Sequence, residues 1–472
     1  MSSHICGRVL AIASAALLSA CKTFSPDGGM GAVVTIAGQG LNKDVVRVSS
    51  PADAVYAQNR VTRLLKAPLS ADAAVQIALL NNAELQAAYN RLGVAEAVAV
   101  QASRPPLPSF SYDWVKTSLE LDIERQVVAS VLQLATWPAR SKIAGVRFEQ
   151  AELRAAEETL RIAAETRKAY YSAVGARQIL AALTSAKANA EASAELAGKL
   201  TETGAVNKLD HARRQVFASE IEAQVTAAKL KATAAEERLT RLMGLWGPNV
   251  ATFLPGTLPP LPSKSRSLAS VEQEAMDKRV DLEIARLEVE ALARSFGLTR
   301  STRLVNVLNA SGISKTQKDK GEPSADGGGF DIAFEVPIYD FGKARVRESE
   351  QRYVEALNAL RAMAVNARSE AREAYGAYAS TLAIVVQYDR EVLPLRKTIS
   401  EETELQYNAM QVDAFALLQA ARDNAASKVA SIEAKRNFWL AYTDLSVAVL
   451  GGGALSRLDG AIVADAGGAG TD

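Results

Sequence analysis

Two hydrophobic periods alternate along this chain, and the alternation happens twice. From Ser70, which can cap a helix, to Ser103, Val75, Leu79, Leu85 and Leu92 trace one helical stripe. Arg104-Pro105-Pro106 ends it, because proline lacks an amide donor and clashes with the preceding turn. The period then shortens to two. Phe110, Tyr112 and Trp114 alternate with Ser111 and Asp113, and Leu119, Leu121 and Ile123 alternate with Glu120, Asp122 and Glu124. This predicts a β-hairpin ending near Thr136-Trp137-Pro138. Helical spacing returns from Ala139 to Leu245, interrupted only at residues 200–207, where Gly204 and Asn207 can reverse the chain.

After a stretch holding five prolines the order repeats. A helix is expected from Leu268 to about Arg300, then a second hairpin. Its strands are RLVNVLNASGIS and FDIAFEVPIYD, joined by a polar loop KTQKDKGEPSADGGG that includes Gly327 to Gly329. The last arm, Val336 to Leu450, has Pro394 as its single proline after Pro337 and a turn-like patch from Asn408 to Ala414. Its first helix is expected to run roughly sixty residues, about 90 Å at 1.5 Å per residue. Such a helix needs partners along its whole length.

The two passes share residues as well as periods. Glu165-Thr166-Arg167-Lys168-Ala169-Tyr170 returns 205 positions later as Glu370-Ala371-Arg372-Glu373-Ala374-Tyr375, and Ala139-Arg140 matches Ala344-Arg345 at the same offset. Upstream, Ala78, Glu84, Leu85 and Ala88 meet Ala275, Asp281, Leu282 and Ala285 at an offset of 197. Two blocks in one order at nearly one offset indicate an internal duplication.

The start of the chain adds an address. Arg8, the apolar run Val9 to Leu18 and the exit Leu18-Ser19-Ala20-Cys21 have the form of a secretion signal, too short to span a bilayer. Leu-Ser-Ala-Cys resembles a bacterial lipobox, which makes Cys21 the expected lipidated residue. Lys22 follows where the inner-membrane retention signal would carry Asp, favouring the outer membrane. The expected divisions are 1–20 signal, 21–66 lipid-anchored tether and short helix, 67–247 first repeat, 248–267 linker, 268–450 second repeat and 451–472 disordered tail.

Composition narrows the function classes. Lys and Arg total 54 against 53 for Asp and Glu, so no nucleic-acid partner is expected. The 48% hydrophobic content with few aromatics suits alanine-rich helical packing. No phosphate loop, nucleophile motif or metal-ligand spacing appears, so neither an enzyme nor a cofactor is expected. After signal removal His211 is the one histidine, and Met30, Met243, Met276, Met363 and Met410 are scattered, which selects no soft metal. Four amphipathic strands on a secreted chain raise a geometric demand. A membrane-spanning sheet must close, barrels of this type start at eight strands, and three chains would supply twelve.

On ADAAVQIALLNNAELQAA, ATWPARSKIA, VPIYDFGKARV, TGAVNKLDHARRQ and AKRNFWLAYTDLSVAVLGG, the chain resembles the TolC-type outer-membrane efflux proteins, in particular their lipoprotein branch. The likeness covers roughly residues 52–452. It implies a mainly α fold with a small β part: two long-helix hairpins and two β-hairpins per chain, trimerising into a 12-stranded barrel continued by a periplasmic α-helical barrel. It implies the exit duct of a tripartite pump, partnered by a periplasmic adaptor, an inner-membrane pump and outer-membrane lipids. The adaptor-docking tip would comprise Thr203, Gly204, Leu209, Asp210, Met410, Phe415 and Leu418. Met410 stands at the second turn's glycine position and Ala416 at its aspartate position, so the acid expected there is missing. The other reading of the long arms is a structural coiled-coil lipoprotein without a pore, which leaves the hairpins and the duplication unexplained.

Overall fold

A computed structural model describes residues 23–246, 253–262 and 267–451. The expected signal, Cys21, much of the linker and the tail beyond Gly451 lie outside the described residues. In order, the first half comprises α1 (Pro51–Leu65), α2 (Ala71–Asn81), α3 (Ala83–Ala102), β1 (Ser109–Lys116), β2 (Glu120–Ser130), α4 (Val131–Glu202) and α5 (Lys208–Leu242). The second comprises α6 (Leu268–Lys278), α7 (Val280–Ser301), β3 (Val307–Asp319), β4 (Ala325–Glu335), α8 (Lys343–Gln387), α9 (Leu393–Asn408) and α10 (Ala414–Leu450). The duplicated pattern of helix, hairpin and long helical pair is therefore present, and the four strands form one sheet ordered β1-β2-β3-β4. The offset rises from 197 to 205 across the hairpins, so the eight additional residues of the second half fall in its longer strands and exit.

The chain divides into two units. One contains residues 89–155 and 282–364 with the start of the described chain, and so holds the sheet. The other contains residues 33–88, 156–281 and 365–451, and its largely aliphatic core holds an aromatic cluster. Tyr171 stacks on Trp439 at 4.9 Å and Phe438 lies 5.7 Å from Tyr378. Tyr170 donates to the Leu69 carbonyl at 3.0 Å and Trp439 to the Pro259 carbonyl at 3.2 Å, so these polar tips are satisfied where the rings are buried.

The single helix expected from Ser70 to Ser103 is two helices. Asn82 leaves the helical conformation (φ −72°, ψ 119°) between α2 and α3, and Arg279 does the same (φ −65°, ψ 120°) between α6 and α7. These positions are related by the offset of 197. Asn82 offsets the lost helical bonds with its side chain: it donates to the Leu242 carbonyl at 2.9 Å and accepts from the Leu85 amide at 3.0 Å. Arg279 instead clasps two acids, Asp281 at 2.6 Å and Glu370 at 2.7 Å, with only 3% of its side chain exposed. The equivalent acids of the first half, Glu84 and Glu165, are also bridged by an arginine, but by Arg161 on α4, at 3.0 and 2.7 Å. Arg161 corresponds at the 205 offset to Asn366. Each half thus holds two acids, one arginine and one asparagine, with the last two exchanged.

Two further boundaries differ from expectation. The first long helix begins at Val131, directly out of β2, so Pro138 lies inside it. Its equivalent Lys343 is the first residue of α8, the position where proline fits a helix best, and the first half extends that helix upstream. In the second half Pro394 is absorbed by a π-turn, Tyr388–Val392. There the Leu393 amide reaches back five residues to the Tyr388 carbonyl, and the widened turn relieves the clash between the proline ring and the carbonyl four residues earlier.

Residues 23–50 are not a free tether. Residues 30–41 form short helical turns with Val33 fully buried, and residues 44–48, outside any helix or strand, lie over side-chain amides. Gln76 both accepts from the Asp44 amide and donates to its carbonyl, at 2.9 Å each, and Gln86 treats Val48 and Val46 in the same way. Each glutamine imitates a neighbouring strand, which satisfies a backbone without a sheet.

In the sheet-bearing unit, Ser25 donates its amide to the buried Glu96 at 2.6 Å. Burial, with the carboxylates of Glu149, Asp27 and Glu96 nearby, pushes Glu152 up to about 7 from an ordinary 4.5. An acid whose folded pKa is raised disfavours the fold once pH climbs through that range; its penalty is absent below about 4.5 and complete above about 7. Glu152→Gln is therefore expected to raise stability at pH 8 by roughly 1–2 kcal/mol after discounting for solvent screening, and to change nothing at pH 4. Thermal melts across that interval check it; equal gains at both pH values would rule it out.

Candidate functional site

Two features of this chain are built for contact rather than chemistry. The first is the sheet. Directly paired residues share a face, so the register Phe110↔Val127, Trp114↔Ile123 and Gly312↔Phe330 places these side chains together with Tyr112, Ile332 and Phe334 on one side. The other side carries Ser111, Asp113, Asp122, Glu124, Gln126, Lys315, Gln317 and Asp331. On it Lys315 pairs with Asp122 at 2.7 Å and Gln126 donates to Ser311 at 3.0 Å. The apolar side is uncovered: Phe110 is 75% exposed, Phe330 83% and Phe334 69%. Large exposed apolar patches mark membrane or protein contacts. β1 and β4 border the sheet, and neither pairs on its outer edge within the described chain.

Gly327, Gly328 and Gly329, expected in a loop, lie in β4 opposite Lys315, Ser314 and Ile313. Glycine weakens a strand but still offers both backbone partners, and the long β3 extends the ladder over them. Only residues 320–324 remain between the strands.

The second feature is the pair of helical turns. Gly204 sits at φ +76° with open space where a Cβ would go, and Met410, at the matching position 206 residues on, also adopts positive φ, +59°. Thr203 donates to the Leu200 carbonyl at 3.0 Å and closes the first turn. Asn207 caps α5 through the Asp210 amide at 2.8 Å, and its own side chain donates to Asp210 at 2.9 Å. Asp413, equivalent to Asn207, caps α10 through the Ala416 amide at 2.9 Å. An acid therefore does stand in the second turn, at the helix cap three residues before Ala416. An Asp directly before AFALLQ was the available signal.

Of the expected tip residues, Leu209, Met410 and Phe415 are exposed at 59%, 93% and 49%. Thr203 and Gly204 are exposed and Asp210 is partly so. Leu418 is not among them: it is buried against Ala190, Ala194, Phe217, Ala218 and Ile221, since its helical phase turns it inward. The turns are held together by cations over rings, Arg213 at 5.1 Å from Phe415 and Arg422 at 5.1 Å from Phe217, and by Arg422 with Glu220 at 2.9 Å. His211 lies beside Gly198 on α4.

A non-glycine residue at positive φ carries about 1–2 kcal/mol of strain, part of which glycine returns through the entropy of its unfolded chain. Met410→Gly is expected to stabilise the chain by about 0.5–1 kcal/mol, read as a higher melting temperature. A lower melting temperature would mean that the exposed thioether has an unrecognised packing partner.

Among the described residues no group of three or more His, Cys, Asp or Glu is placed to hold a metal ion, and no helix is long and apolar enough to cross a membrane. No family model matches the sequence, and no curated protein matches it. Solved structures do. The chain is similar to the outer-membrane channel OprN over 90% of its own length and 96% of that chain, with a TM-score of 0.69 at 17% identity. It is similar to the CmeC outer membrane channel of Campylobacter jejuni over 84% and 86%, with a TM-score of 0.70 at 16% identity. The outer membrane protein VceC of Vibrio cholerae matches over 84% and 96%, with a TM-score of 0.64 at 16% identity. At such identities the shared property is the fold, and it is the TolC-type fold expected from the sequence.

Proposed function

We propose that this chain is an outer-membrane exit duct that passively conducts substrates delivered by an inner-membrane pump through a periplasmic adaptor. The observation that carries the proposal is the two-faced sheet with two free edges. Lipid offers no partners to edge strands, so a sheet with one apolar side can enter a bilayer only as part of a closed barrel. Three copies pairing β4 of one with β1 of the next close twelve strands, with Asp113, Glu124 and Lys315 facing the lumen. Lipidation of Cys21 anchors the N-terminus beside the barrel. Thr203, Gly204, Leu209, Asp210, Met410 and Phe415 form the end that docks the adaptor, through shallow apolar contacts and exposed turn backbone. The fold shared with outer-membrane channels supports this reading.

One preparation tests it: the full chain extracted from outer membranes in detergent, weighed, and inserted in a planar bilayer. The expected result is a trimer that conducts, with an acyl mass shift on Cys21, and that captures its adaptor. A soluble, non-conducting monomer would overturn the duct; a missing mass shift would remove the anchor alone. Gly204→Glu should leave trimer yield and conductance intact, since its side chain meets open space and the strain of its positive φ, about 1–2 kcal/mol, falls on one exposed turn, while capture of the adaptor is lost. Unchanged capture would show that docking lies elsewhere.

A further inference from the structure

Between the two helical arms, close to their turns, lies a cavity of about 320 Å³, a size at the lower end of small-molecule sites. Its apolar floor is Phe217, Leu417 and Leu418, and its polar walls include Asn189 and Asn424. Two cations, Arg214 and Lys428, line it and no carboxylate does. The acids nearby are engaged by other bases: Asp423 by Arg396 at 2.8 Å, Glu220 by Arg422 at 2.9 Å and Glu222 by Lys187 at 2.9 Å. Arg214 donates to two neutral hydroxyls, Ser193 on α4 at 2.6 Å and Tyr407 on α9 at 3.3 Å, and its Nε is buried with no partner. A partly buried guanidinium facing only neutral groups favours an anion beside it.

We infer that this cavity binds a small organic monoanion with a flat apolar body, an aromatic carboxylate being the class that fits. The carboxylate meets Arg214 and Lys428, and the ring lies on Phe217, Leu417 and Leu418. An anion carried by charge alone would not use that floor, and a neutral aromatic would leave the arginine without its counter-charge. Because α4, α5, α9 and α10 all contribute to the walls or to the hydrogen bonds of Arg214, a bound ligand touches both arms and favours their packed arrangement. The inference rests on the cavity and not on the duct, and binding is measured without export.

The probe is benzoate, titrated against the full chain in detergent by calorimetry and ligand-observed NMR, with benzamide as the neutral analogue and acetate as the anion lacking a ring. Benzoate is expected to bind at least about tenfold more tightly than either, the ratio typical of losing a charge-assisted contact. R214Q should weaken benzoate about tenfold and K428Q about threefold, while R294Q, a surface arginine in the sheet-bearing unit, should change nothing. Equal binding of benzoate and benzamide would overturn the inference, as would equal binding of acetate. Should R214Q fail to fold, K428Q decides, because its side chain is exposed and outside the core. Unaltered benzoate binding in K428Q would then place the ligand elsewhere.

Discussion

Phe330→Arg is expected to abolish recovery of the protein as a membrane-embedded trimer, whereas Asp331→Arg, one residue along, is expected to leave it intact. Neighbours on a strand point to opposite faces, so the two variants introduce the same charge on different sides of one sheet. Phe330 pairs with Gly312 on the apolar side, and Asp331 pairs with Ser311 on the polar side. If the apolar side meets lipid, an arginine near the bilayer midplane costs about 2–4 kcal/mol per chain, and a trimer bears that three times. On a water-filled lumen the same residue costs little and alters ion selectivity. The measurement is trimer yield from outer-membrane fractions, with conductance as the second reading for Asp331→Arg. Loss of both variants would indicate that either substitution breaks the strand. Survival of Phe330→Arg would mean that the exposed aromatics face something other than lipid, and the duct reading would fall with it.

Arg279→Ala is expected to be strongly destabilising to the helical unit. It takes the shared guanidinium away from Asp281 and Glu370, the first of them largely buried, and breaking a buried pair by removing one partner costs about 3–5 kcal/mol. The first half supplies the remedy. Arg161, which bridges the equivalent acids there, corresponds to Asn366, so Arg279→Asn with Asn366→Arg rebuilds in the second half the arrangement of the first. The double variant should recover more than half of the stability that Arg279→Asn loses, while Asn366→Arg alone, at an exposed position, should be nearly neutral. Chemical melts of the three variants check the cycle. Simple additivity would show that the two acids do not share one arginine.

The parts of this molecule that could be read in advance are those written as periods. Alternation at Phe110 to Trp114 and at Phe330 to Val336 located the hairpins, and the long alanine-rich runs located the arms. The repeated blocks fixed their order. What stayed hidden depends on single residues with no distinctive local signal. Asn82 and Arg279 break their helices without proline or glycine, and only the distant groups they reach make the breaks favourable. Gly327 to Gly329 read as a loop because a strand was judged by its own side chains rather than by the partner strand that carries them. Leu418 could be placed on the correct turn, but its face depends on helical phase, and the packing around Phe217 decides that. The exchange of arginine and asparagine between halves needs both offsets and the third dimension at once. Resemblance alone points to the tip residues, because neither period nor composition distinguishes Thr203 or Met410 from any other turn residue.

The π-turn at Tyr388–Val392 records something about descent. Glu165 and Glu370 are 205 residues apart, but Gly204 and Met410, like Asn207 and Asp413, are 206 apart. Between those landmarks the second half holds one residue more than the first, and its helix has one turn that is a residue wider than an α-turn. A single codon gained after the duplication would have rotated everything beyond it by about 100° had the helix stayed regular. Widening one turn confined the change to that turn, so the capping Asp413 and the left-handed Met410 keep the stations held by Asn207 and Gly204. The two arms have thus diverged in length while their ends stayed in register.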